Sequence, residues 1–208
     1  MPRLDVNPAT CRAEDLAPAV AWLRDAGVVA YPTDTYYGLA VDPTSARAVD
    51  ALFALKGRAA DAALPLIAAS LDQVQAWCRL SSSSVALART FWPGPLSLLC
   101  EAPAAVAAAV HAGRGTVAIR VPNHGVARTL AAAWGGPVTA TSANRSGAPP
   151  VSRAEALRGL DASSLLIIDG GDTPAGPPST IVDARRDPPI LVRAGAIAWD
   201  RVLHSLQR

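Results

Sequence analysis

The stretch Val28-Val29-Ala30-Tyr31-Pro32-Thr33-Asp34-Thr35-Tyr36-Tyr37-Gly38-Leu39-Ala40-Val41 decides how the rest of the chain is read. Its first four residues are apolar, rich in β-formers and ended by Pro32, which predicts a short buried strand. Beyond the polar turn Thr33-Asp34-Thr35, residues 37–41 form a second apolar run. Strands this apolar need cover, and the flanking sequence supplies it as helices. Upstream, Leu16, Val20 and Leu23 fall at helical spacing within 11–26, and Gly27 offers the stop. Downstream, Ser45 is an N-cap candidate, Ala46, Val49, Leu52 and Phe53 share one face, and Gly57 stands just past the end.

The pattern continues outward. Residues 64–69, 96–100 and 116–121 read as strands, the last with Val117, Ile119 and Val121 alternating against Thr116, Ala118 and Arg120. Residues 72–78 and 85–91 read as helices, stopped by Trp92-Pro93-Gly94-Pro95. In the second half, helices are expected over 126–134, 153–159 and 198–206, and strands over 138–141, 165–168, 180–183 and 190–193. Loops fall at 142–152 and at the Gly/Pro-rich 170–178. Strands alternating with helices predict a layered α/β domain (α+β in some schemes) around a twisted, mixed β-sheet flanked by helices. With no internal repeat and no long linker, 1–208 reads as one domain.

Composition narrows the classes. Half of the 208 residues are hydrophobic and 17% are charged, which excludes a disordered chain. No apolar run reaches the roughly 18 residues of a spanning helix, since 96–110 is broken by Glu101 and Pro103. Met1-Pro2-Arg3-Leu4-Asp5 has no signal-peptide character, and Cys11, Cys78 and Cys100 are widely spaced. The expectation is a cytoplasmic protein with no membrane partner, no disulfide framework and no metal site. A net charge of +2 leaves nucleic-acid contact to a local patch.

Neither phosphate cradle, GxxxxGK[ST] or GxGxxG after a strand, is present, and there is no G-x-S-x-G elbow. His111, His124 and His204 are scattered. Four other segments gather polar groups at strand ends, and each admits two readings. Thr33-Asp34-Thr35 is a side-chain-stabilised turn or a small-substrate site. Lys56-Gly57-Arg58 is a pair of cations complementing a helix end or a polyphosphate clamp. Thr139-Ala140-Thr141-Ser142-Ala143-Asn144-Arg145-Ser146-Gly147 is a capping turn or a set of phosphate-oxygen donors at a sheet edge. Ser179 through Asp183, with Leu191-Val192-Arg193, offers a surface salt bridge or a phosphate contact. Arg120, ending an alternating strand before Pro122, is a candidate for a substrate carboxylate.

In this order, YPTDTYYGL (31–39), LFALKGR (52–58), FWPGPLSLL (91–99), TVAIRVPNH (116–124), TATSANRSG (139–147), STIVDA (179–184) and ILVRAG (190–195) resemble the threonylcarbamoyl-AMP synthase family (YrdC/TsaC-like). The resemblance covers about 17–193 and fits the short, single-domain form. It implies a three-layer YrdC/RibB-like domain with a twisted mixed sheet bordering a concave, positively lined cavity. It implies an enzyme, a nucleotidyltransferase, that makes threonylcarbamoyl-AMP and pyrophosphate from L-threonine, bicarbonate or CO2, and ATP with Mg²⁺. The product feeds N6-threonylcarbamoyladenosine at tRNA position 37. By motif position, Thr35, Arg120 and Ser179 would bind threonine. Lys56, Arg58, Thr116, Ser142, Asn144 and Arg193 would bind ATP, with Lys56 and Arg58 also serving catalysis. The implied partners are weakly bound tRNA and the downstream threonylcarbamoyl-transferase proteins. The chain departs from the family pattern at Ala59, Ala62 and Ala194, and in Gly176-Pro177-Pro178 before Ser179. Two alternatives stand beside this reading: a paralogue or carbamoyl-transfer enzyme of altered activity, and an RNA-binding module. The near-neutral charge and the lack of an aromatic stacking stripe argue against the latter.

Overall fold

The computed structural model describes residues 2–57, 62–160 and 165–207. In chain order the elements are β1 (Arg3–Asp5), α1 (Ala17–Arg24), β2 (Val28–Tyr31), β3 (Gly38–Ala40), α2 (Ala46–Lys56), β4 (Leu66–Ile67), α3 (Leu71–Trp77) and α4 (Ser82–Phe91). Then follow β5 (Leu96–Glu101), α5 (Ala108–His111), β6 (Thr116–Arg120), α6 (Gly125–Trp134), β7 (Val138–Thr139) and β8 (Thr141–Ser142). The chain continues through β9 (Leu165–Asp169), β10 (Thr180–Asp183), β11 (Ile190–Arg193) and α7 (Trp199–Ser205).

The strands form two mixed sheets where the sequence suggested one. The first runs β1-β9-β2-β3-β8, parallel through β2 and antiparallel beyond it. The second runs β11-β10-β5-β6-β4-β7, with antiparallel and parallel pairs alternating. The division lies in the run expected as one strand at 138–141. Val138 and Thr139 pair with β4, whereas Thr141 and Ser142 pair with β3. A strand that changes sheet strands its neighbours' backbone groups, which must find partners if buried. Thr139 supplies them: its hydroxyl accepts from the Val41 amide at 2.9 Å and donates to the Leu39 carbonyl at 3.0 Å. The Tyr31 hydroxyl then donates to the Thr139 carbonyl at 3.1 Å.

Helices cover the sheets through three apolar clusters. Leu16 and Leu23 from α1's side and Leu130 of α6 pack on Val29, Tyr31, Ile67 and Ile168. Leu52 of α2 lies with Val28, Leu39, Leu66 and Ile119. Leu87 and Phe91 of α4 join Val202 of α7 over Leu96, Leu98 and Val182. The expected caps hold, since Ser45 accepts from the Ala48 amide and Gly57 closes α2 in the left-handed region (φ 59°).

Several elements are shorter than their patterns. The helix expected over 11–26 is a single 3₁₀ turn, Glu14–Leu16, before α1, which begins with Pro18 in its first turn. The strand expected over 64–69 shrinks to Leu66–Ile67, because Pro65 has no N–H to give the ladder. The segment at 153–159 is 3₁₀, Ala154–Gly159. Among the described residues no helix is long and apolar enough to cross a membrane.

Candidate functional site

A cavity of about 530 Å³ opens where the two sheets part. The turn after β2 contributes Thr33, Thr35 and Tyr36, and Gly38 starts β3 below it. Ser97 comes from β5, Arg120 from the end of β6, and Ala140, Thr141 and Ser142 from the sheet-switching run. Ser179 and Arg193 close the far side. The described lining carries two guanidinium groups and no carboxylate. Such a pocket favours a polyanion.

Each group is held. Both oxygens of Asp34 grip Arg120 Nη1, at 2.7 and 2.9 Å, and the Asn123 amide donates to Asp34 at 3.1 Å. The two side chains are only 10% and 12% exposed, so the pair is scarcely screened. Among the described residues no acceptor bonds the remaining Arg120 nitrogens. They stay available for a planar carboxylate, which guanidinium groups recognise two-pronged. Thr33 organises the neighbouring turn, donating to the Tyr36 carbonyl at 2.7 Å and standing 3.1 Å from the Thr35 hydroxyl. The stabilised turn thus also lines the cavity.

Across the same sheet, at the end of β11, Arg193 donates to the Ser179 carbonyl at 2.8 Å and to its hydroxyl at 3.1 Å. That hydroxyl lies 2.9 Å from the hydroxyl of Ser97. Burial, and then the charge of Arg120, pushes the Arg193 pKa down, yet an arginine remains protonated at neutral pH. Gly195 lets this corner form, because a Cβ there would lie 2.5 Å from the Thr180 nitrogen and clash with the Pro178 carbonyl.

Of the expected site residues, Thr35, Arg120, Ser142, Ser179 and Arg193 meet at the cavity. Lys56 does not line it. It is 3% exposed, and its ammonium donates to the carbonyls of Ser142 and of Asn144, the latter at 2.9 Å. The Asn144 side chain donates to the Arg145 and Ala148 carbonyls, so it closes its own turn, and its buried Oδ1 has no partner among the described residues. Thr116 sits opposite Glu101 at the start of β6, about 13 Å along the strand from Arg120. The geometry gives it no place in the cavity. Arg58, with Ala59, lies outside the described residues.

Sequence reasoning passed over Thr33, Asp34 and Ser97 as individual residues. Ser97 had a signal, a lone hydroxyl between Leu96 and Leu98 in an apolar strand, and it is 2% exposed. Behind Asp34, His124 precedes α6, and burial pushes its pKa down while Asp34 opposes the shift. A metal finds little here, since no group of three His, Cys, Asp or Glu comes together among the described residues. Asp34 is already committed to Arg120.

A family model, Sua5/YciO/YrdC, described as "Telomere recombination", matches residues 21–195. The chain belongs to this family. Among its relatives, a threonylcarbamoyl-AMP synthase of Pyrococcus abyssi is 36% identical over 88% of this chain and 55% of its own length. One of Vibrio vulnificus is 37% identical over 87% of this chain and 98% of its own. The crystal structure of P. abyssi Sua5 complexed with L-threonine superposes with a TM-score of 0.90 at 32% identity, covering 99% of this chain and 61% of that one. The chain spans about half the length of the first of these curated relatives.

Proposed function

We propose that this member of the Sua5/YciO/YrdC family is an L-threonylcarbamoyladenylate synthase, acting in the cytoplasm. The observation that carries the reading is one cavity lined by two arginines of the same sheet, with the hydroxyls of Ser97 and Ser179 on the strands between them and no acid in its described lining. The relatives' name and the threonine-bound Sua5 structure support it. Threonine places its carboxylate on Arg120, with the hydroxyls of Thr35 and Ser179 nearby. ATP lies towards Ser142, the Asn144 turn and Arg193, and Arg58 completes the phosphate clamp.

The chemistry asks for positioning more than for covalent help. The neutral threonine amine condenses with bicarbonate, forming a C–N bond and releasing water. A carbamate oxygen then attacks the α-phosphorus, forming the P–O bond of the adenylate as the bond to pyrophosphate breaks. Charge that spreads over the phosphoryl oxygens is met by the fixed guanidinium groups. Since the described lining has no carboxylate, Mg²⁺ would arrive with ATP, held by phosphate oxygens and water. Transfer of the threonylcarbamoyl group from the adenylate to weakly bound tRNA, with AMP leaving, falls to partner proteins downstream.

Steady-state kinetics on two variants test the assignment. Arg193→Ala should raise KM for ATP about tenfold or more and leave KM for threonine nearly unchanged, while Arg120→Ala should do the reverse. Two folded variants with wild-type constants would overturn it.

A further inference from the structure

One residue of α2 touches three alternate positions, Ser142 at the end of β8 and Asn144 and Ser146 in the turn beyond it. The Lys56 ammonium donates to the Ser142 and Asn144 carbonyls, and the Lys56 carbonyl accepts from the Ser146 amide at 2.8 Å. Asn144 locks the same turn from within, donating to the Arg145 carbonyl at 2.9 Å and to that of Ala148 at 2.6 Å. Ser142 in turn pairs with Gly38 and lines the cavity. A desolvated ammonium is costly, and bonds to two carbonyl dipoles offset that cost. The same bonds draw two partially negative oxygens towards a cation, where they would otherwise oppose a bound polyphosphate.

We infer that Lys56 is a positioning residue for nucleotide binding: it latches the 142–146 turn to α2 and so acts on ATP through the turn, without contacting the phosphates. This rests on the reading of the cavity as an ATP site. It differs from the direct phosphate contact that motif position alone would assign to this lysine.

Hydrogen exchange and kinetics together test the latch. In the substrate-free protein, Lys56→Met should speed exchange of the amides at 142–148 about tenfold or more and leave those of α4 unchanged. Lys56→Arg, whose fork can reach both carbonyls, should restore most of the protection. Kinetically, Lys56→Met should raise KM for ATP about tenfold with little change for threonine. The dependence of KM for ATP on ionic strength should stay as in the wild type, because no cation–phosphate contact is lost. Unchanged exchange in the turn with a weakened salt dependence would overturn the latch and make Lys56 a direct ligand. Lys56→Gln, which keeps one donor, serves if the Met variant fails to fold. The exchange comparison needs no substrate, so a wild-type chain that releases no pyrophosphate would refute the nucleotide reading without affecting that result.

Discussion

With Asp34 gripping a single nitrogen through both oxygens, Arg120 is fixed in rotation while its other edge stays open to the cavity. Asp34→Asn should therefore weaken threonine binding about tenfold, leave ATP binding nearly unchanged, and lower the melting temperature, since it leaves a poorly screened guanidinium under-compensated. Separate titrations of the two ligands decide this, and equal losses for both would count against it. His124 makes a prediction about pH. Its pKa in the fold lies below the ordinary 6.5, chiefly through burial, and the positive end of α6 also disfavours an imidazolium. The neutral form is the folded form, so its contribution is complete above the unfolded value and is lost as pH falls below it. Thermal melts should show stability dropping as pH falls through the ordinary imidazole value of 6.5, and His124→Asn should flatten that slope. Asp183, whose carboxylate is held down mainly by Arg185, loses its contribution only at more acid pH, below its usual value of 3.8.

At the scale of elements, two positions separate folding from function. Ser45 caps α2 far from the cavity lining, so Ser45→Ala should cost about 1 kcal/mol in denaturant melts and leave KM values alone. Gly195 sits where Pro178 and Thr180 crowd it, so Gly195→Ala must move either the end of β11 or the Ser179 strand. The expected outcome is a raised KM for ATP with a modest loss of stability, and an unchanged KM would show that the corner yields freely. These positions also mark what the sequence makes legible. Thr180–Asp183 was readable to the residue because burial writes a period into it, whereas Ile190–Arg193 was readable from its apolar residues although Ile190 and Val192 are half exposed. β1 and α5 left too short a pattern to detect, at three and four residues. The sheet switch at Ala140 was hidden because Val138-Thr139-Ala140-Thr141 alternates like one strand, and only the strand pairing in the structure reveals the change of partner.

For the whole molecule, the parting of the sheets is the feature on which function depends. Thr35, just beyond β2, and Ser142 of β8 come from the side of the first sheet and Arg120 and Arg193 from the second, and all four line one hollow. That convergence could be foreseen only through the ordered set of motifs, since each segment alone was as well explained by a turn, a cap or a solvated charge. Thr116 shows the reverse limit, because motif position put it with ATP whereas strand geometry places it at the far end of β6. The most direct measurement of the central claim is pyrophosphate release by the wild-type protein with L-threonine, bicarbonate or ATP withheld in turn. Release that needs all three together is the predicted result. Release from ATP alone, or none with all three present, would contradict it.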